Sequence, residues 1–134
     1  MKTIFLFILP FLFIVPAGFV MAEEPSFNPD LNYAQVVAVN AYKVGSTWTF
    51  TVTVEHRDDG WEHYADAWEI VNEDGKVLAR RILAHPHENE QPFTRSLAGV
   101  LIPEGVQSVL IRARCNVHGY GGRTVIFPVG DINR

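Results

Sequence analysis

Thr47-Trp48-Thr49-Phe50-Thr51-Val52-Thr53-Val54 (residues 47–54) alternates a threonine with an apolar residue without a break. Successive side chains of an extended chain point to opposite faces. Trp48, Phe50, Val52 and Val54 therefore face a core, and the four threonines face away from it. A strand covered on one face belongs to an antiparallel sheet. Working outward, residues 35–42 form a Val-rich strand joined to it by the turn Lys43-Val44-Gly45-Ser46. On the other side, residues 64–71 carry Trp68 and Ile70, and Asn72-Glu73-Asp74-Gly75 is a hairpin turn leading to residues 76–83. Residues 93–102, the turn Pro103-Glu104-Gly105, residues 106–114 and residues 124–129 complete the set. Seven short strands with regular turns and no convincing helix predict an all-β fold, an immunoglobulin-like antiparallel β-sandwich.

Before the strands, Lys2 precedes an apolar run broken by Pro10 and Pro16 and closed by Val20-Met21-Ala22. This pattern predicts a cleaved signal peptide over residues 1–22 and a single domain over residues 23–134, periplasmic or secreted, with no membrane association after signal removal. No cysteine follows the predicted cut, which sets the pattern apart from bacterial lipoproteins. The whole chain has a net charge of −4, and losing Lys2 with the signal makes the remainder more acidic. That balance argues against nucleic acid and anionic membrane surfaces as partners. One cysteine excludes an internal disulfide.

In strands that alternate up and down, every second connection falls at the same end. The turns at Gly45, Gly75 and Gly105 share one end. The other three connections carry all five histidines and the cysteine: His56 and His63, His85 and His87, Cys115 and His118. Imidazole and thiolate donors converging from a rigid scaffold point to a transition-metal ion such as iron, copper or zinc. In His85-Pro86-His87 the i, i+2 spacing sends both rings to one side of an extended segment, with Glu88 and Glu90 beside them as further donors. Cys115 shares the parity of Val109, Ile111 and Ala113, so it reads equally as a core residue and as a ligand. Asp58-Asp59-Gly60 reads as a solvated turn, Gly119-Tyr120-Gly121-Gly122 as a mobile loop, and Arg80, Arg81, Arg112 and Arg114 as a solvated face. A second function class is a non-catalytic binding module. In it Trp61, Tyr64, Phe93 and Tyr120 present an aromatic platform to a partner protein, peptide or sugar, and the histidines tune affinity with pH. Composition alone does not decide whether the protein is an enzyme.

Cys115-Asn116-Val117-His118-Gly119 resembles the Cys-Asn-x-His-Gly motif of the superoxide reductase (desulfoferrodoxin and neelaredoxin) family. Glu62-His63-Tyr64 with Trp68-Glu69-Ile70 is similar to that family's Glu-His-Tyr…Trp-x-Glu segment, with His56 standing upstream. The resemblance implies an immunoglobulin-like domain holding a ferrous centre that reduces superoxide with electrons from a redox partner. Carried over, it makes His56, His63 and His118 imidazole ligands and Cys115 the thiolate. The chain departs from the pattern in several places: the His63–Trp68 spacing is one residue longer, and His85 and His87 have no counterpart in it. No histidine lies between residue 23 and His56, His56-Arg57-Asp58 stands where the family has His-Pro-Met, and Tyr120 stands where tryptophan is common.

Overall fold

The structure, a computed structural model, describes residues 26–130, so the signal peptide expected over residues 1–22 lies outside the described residues. Seven strands follow in order: β1 (Gln35–Val44), β2 (Thr47–Glu55), β3 (Ala65–Val71), β4 (Val77–Ile82), β5 (Phe93–Val100), β6 (Ser108–Cys115) and β7 (Val125–Pro128). They form two antiparallel sheets, ordered β1-β2-β5 and β4-β3-β6-β7. As in an immunoglobulin constant-type domain, strands one, two and five share one sheet and strands three, six and seven the other. The fourth strand here pairs with the third, and the all-β sandwich is the fold that the alternation of residues 47–54 predicts.

The alternation of β2 is realised as expected. Phe50, Val52 and Val54 are fully buried, and Trp48 packs at the edge of the core. The threonines on the opposite face pair with β5, Thr51 with Ser96 and Thr53 with Thr94, each at 2.8 Å. From the second sheet Trp68, Ile70, Val109, Ile111, Ala113 and Cys115 fill the same core. The main difference from expectation is at β6. It starts two residues late, after the Pro103–Val106 turn, and runs on through Cys115. Cys115 is thus the last inward-facing residue of its strand, at the floor of the loops.

Because β1 and β2 are antiparallel with Gln35 opposite Glu55, the start of β1 lies where β2 ends. The histidine-bearing connections (residues 56–64, 83–92 and 116–124) and the segment entering β1 therefore share one end of the sandwich.

Candidate metal centre

Asp58 organises this end. Its side chain is fully buried, and Oδ1 lies 2.6 Å from His56 Nδ1. The same carboxylate accepts the backbone N–H of Ala65 at 2.9 Å and that of His87 at 2.7 Å. It thereby ties the start of β3 and the second histidine loop to the first. Burial pushes the Asp58 carboxyl up, but the hydrogen bonds from His56, Ala65 and His87 outweigh it and hold the group below its ordinary value of 3.8. The solvated turn expected at Asp58 is therefore a correction: Asp59 and Gly60 turn the chain, whereas Asp58 points inward. Gln91 adds a second tie, accepting from His56 N at 3.0 Å and donating to His87 O at 2.9 Å.

The third loop is built so that Cys115 is fixed from several directions. Cys115 and Gly119 exchange backbone hydrogen bonds of 3.0 and 2.8 Å, closing a five-residue turn that needs the positive φ of 65° at Gly119. Inside it the Val117 N–H lies 3.4 Å from Cys115 Sγ and donates to it. Asn116 joins this turn to the first loop, with Oδ1 accepting from Tyr64 N at 2.9 Å and Nδ2 donating to Trp61 O at 3.1 Å. The residues of Cys-Asn-x-His-Gly thus divide the local work. Asn116 ties the loop down, the amide at 117 faces the sulfur, and Gly119 closes the turn.

The loop expected to be mobile is instead packed under the leader to β1. A Cβ at Gly122 would meet the Ala34 carbonyl oxygen at 2.0 Å, so only glycine permits that approach. Gln35 secures the same crossing, donating to the carbonyls of Asn28, Asp30 and Tyr33 and accepting from Arg123 N at 2.7 Å. The leader turns through Asn28 and Asp30, whose side chains accept from the amides two residues ahead. That turn sets the Asn32 carbonyl 3.0 Å from His56 Nε2 and 3.3 Å from His63 Nε2. No motif marks Asn32 as part of the site. The up-down parity that gathers the histidines is the one signal for it, because it also places the start of β1 among them.

His56, His63 and Cys115 form a group whose ligand atoms all lie within 4.8 Å of one another, with His56 and Cys115 buried. Ligand bonds of about 2.0–2.3 Å can span such a set after small adjustments. His56 has an acceptor at each ring nitrogen, Asp58 at Nδ1 and the Asn32 carbonyl at Nε2. A neutral imidazole carries one N–H. With the Nδ1 proton donated to Asp58, the Nε2 lone pair of the neutral ring faces the Asn32 carbonyl oxygen, and a cation there would satisfy both. The donor set therefore fits a transition-metal ion, with Asp58 fixing the far nitrogen as outer-shell carboxylates do.

His118 is exposed and lies outside this group, its ring edge-on to His63 at 5.1 Å and tilted against Tyr33 at 5.1 Å. His85 and His87 form a separate pair with ring centres 4.6 Å apart. Glu88 accepts from Gly60 N at 2.5 Å and Glu90 pairs with Arg95 at 2.8 Å, so both carboxylates are engaged elsewhere. Trp61 is exposed and stands edge-on to Tyr64 at 5.6 Å.

Tyr120 clamps the third loop to the outer face of the second sheet. Its hydroxyl donates to the buried Glu69, and the Arg112 guanidinium lies 4.1 Å over its ring. Arg80 and Arg112 pair with the same carboxylate at 2.5 and 3.0 Å, so these arginines surround a buried anion rather than forming a simply solvated face. Burial raises the Glu69 carboxyl, and the hydrogen bonds from Tyr120, Arg80 and Arg112 together bring it below its ordinary value of 4.5. A depressed folded-state value means stability that is complete above pH 4.5 and is lost as pH falls through the folded value. Glu69→Gln should therefore lower stability at neutral pH and flatten the acid limb, read as urea midpoints between about pH 7 and 3. An unchanged acid limb would show that Glu69 titrates alike in both states.

No protein-family profile matches the chain. A protein of Halomicrobium mukohataei, described by its name as a lipoprotein, is 41% identical over 105 residues, taking in 78% of this chain and 51% of the relative. The chain thus spans about half the length of the curated relative it matches. Among solved structures, a hypothetical protein from Pyrococcus horikoshii has 13% identity and a TM-score of 0.52, covering 78% of this chain and 96% of that one. A superoxide reductase from Nanoarchaeum equitans has 18% identity and a TM-score of 0.51, covering 78% of this chain and 98% of that one. At these identities the likeness is one of fold: this chain is a β-sandwich of the shape that the superoxide reductase also adopts.

Proposed function

We propose that this chain is an exported protein holding one transition-metal ion, iron in the most specific form of the reading, and acting as a superoxide reductase. The observation that carries the proposal is the convergence of two imidazoles and one thiol, His56, His63 and Cys115, within 4.8 Å at the loop end of the sandwich. The fold shared with the reductase of Nanoarchaeum equitans supports it. His118, one ring beyond His63, is the next candidate ligand.

When bound, ferrous iron supplies the single electron that, with two protons from solvent, turns superoxide into hydrogen peroxide, and an external donor must return that electron. The chain's own groups do the rest. Asp58 holds the His56 ring so that Nε2 faces inward, the Val117 amide donates to the sulfur, and the leader at Asn32 covers the Nε2 side of both rings. Export is part of the proposal. The apolar segment over residues 1–22 reads as a signal peptide before a domain of residues 23–134, and the relative's name also points to an exported protein.

The test is iron content and visible absorption of the purified chain, with peroxide formation from superoxide under a supplied reductant. Near-stoichiometric iron with a sulfur-to-iron charge-transfer band, lost in Cys115→Ala, is the expected result. Zinc or copper in place of iron would retain the site and end the reductase reading, and a chain that takes no ion would end both.

A further inference from the structure

His87 is the most unusual polar residue of this end. Its side chain is only 4% exposed, and neither ring nitrogen has a hydrogen-bond partner among the described residues. Burying such a group without a partner is costly, because nothing replaces the hydrogen bonds it gives up to water. Its orientation is nevertheless closely set. The ring lies flat against Phe93 at 4.1 Å with an interplanar angle of 10°. Its backbone is held by Asp58 and Gln91. The exposed ring of His85 stands 4.6 Å away, tilted by 39°. The two rings line a cavity of about 540 Å³ together with Gly60, Trp61 and Glu88.

We propose that His85 and His87 form a second, surface-accessible site for a divalent transition-metal ion, separate from the buried His56/His63/Cys115 cluster and joined to it through Asp58. Pro86 between the two residues fixes φ and limits how far the rings can separate. An ion between them gives His87 the partner it lacks and leaves its remaining positions open to the cavity. Asp58 Oδ2 lies 3.8 Å from His87 Nδ1, too far for a hydrogen bond and near enough to become one after a shift of under about 1 Å. One carboxylate would then orient a ligand in each site, Oδ1 toward His56 and Oδ2 toward His87. With two protein donors and no thiolate, the outer site is the weaker and faster-exchanging of the two.

Titration of the purified chain with Co²⁺ separates the sites, because only an ion on Cys115 shows a sulfur charge-transfer band. The wild type should bind two equivalents, one with that band. His85→Gln alters an exposed side chain and should bind one, band intact, with the second equivalent weakened about 100-fold or lost. Cys115→Ala should keep the His85-dependent equivalent. A wild type that binds one equivalent and shows the band, or a His85→Gln chain that binds as many equivalents as the wild type, overturns the outer site. Absence of the band in every variant ends the buried-centre reading and leaves the outer site to be judged by its dependence on His85 alone.

Discussion

Asp58→Ala should cost about 3–5 kcal/mol of folding stability and weaken metal binding about 10–100-fold. The stability loss follows from what the carboxylate satisfies. His56 Nδ1, Ala65 N and His87 N all donate to it, and all lose their acceptor in a place that water does not reach. Each orphaned donor costs about 1–3 kcal/mol, and relaxation of the loops recovers part of the sum. For a domain whose total stability is about 5–15 kcal/mol, this is a large share. Asp58→Asn is the informative companion. It keeps an oxygen for two of the donors but turns an NH₂ toward the third, so it should fall about midway in the urea midpoint. Equal losses for the two variants would mean that shape rather than hydrogen bonding sets the position.

Trp68→Ala should be comparably severe, at about 3–5 kcal/mol. Trp68 is fully buried at the centre of β3, among the largest side chains of the core. Its removal leaves a cavity that the two sheets cannot close without breaking the β3–β4 and β3–β6 ladders. Its Nε1 has no hydrogen-bond partner among the described residues, so no hydrogen bond is lost with the ring. Trp68→Phe should then cost only about 1–2 kcal/mol, since it removes volume together with an unpartnered donor. Denaturation midpoints of the two variants test this directly. A Trp68→Phe loss as large as that of alanine would show that the indole N–H is satisfied after all.

The legibility of the chain divides along a physical line. Strands are readable because alternation is local: residues 47–54 state their two faces in their own order, and residues 109–115 do the same. The end at which the loops gather is readable because antiparallel connectivity depends only on counting strands. Asp58, Asn32 and Glu69 are not readable for the opposite reason. Asp58 sits in an Asp-Asp-Gly sequence that favours a solvated turn, and only contacts from β3 and from His87 draw it inward. Asn32 acts through its carbonyl, which every residue carries. Glu69 lies in an otherwise apolar strand, and its partners come from β4, β6 and the third loop. Cys115 shows why parity cannot separate its two readings: as the last inward position of β6 it is both the top of the core and one corner of the histidine group.

The Asn32 carbonyl has a kinetic consequence. Because it caps Nε2 of the buried His56 beside that of His63, and because Gln35 and the glycine crossing hold its segment in place, reaching the His56 nitrogen from solution is a local unfolding event. The rate of access is then governed by how often residues 28–34 lift away, and not by diffusion through a channel. The same opening releases the amide of Arg57, which donates to the Leu31 carbonyl at 2.8 Å, so its hydrogen exchange and the uptake of an ion should share one clock.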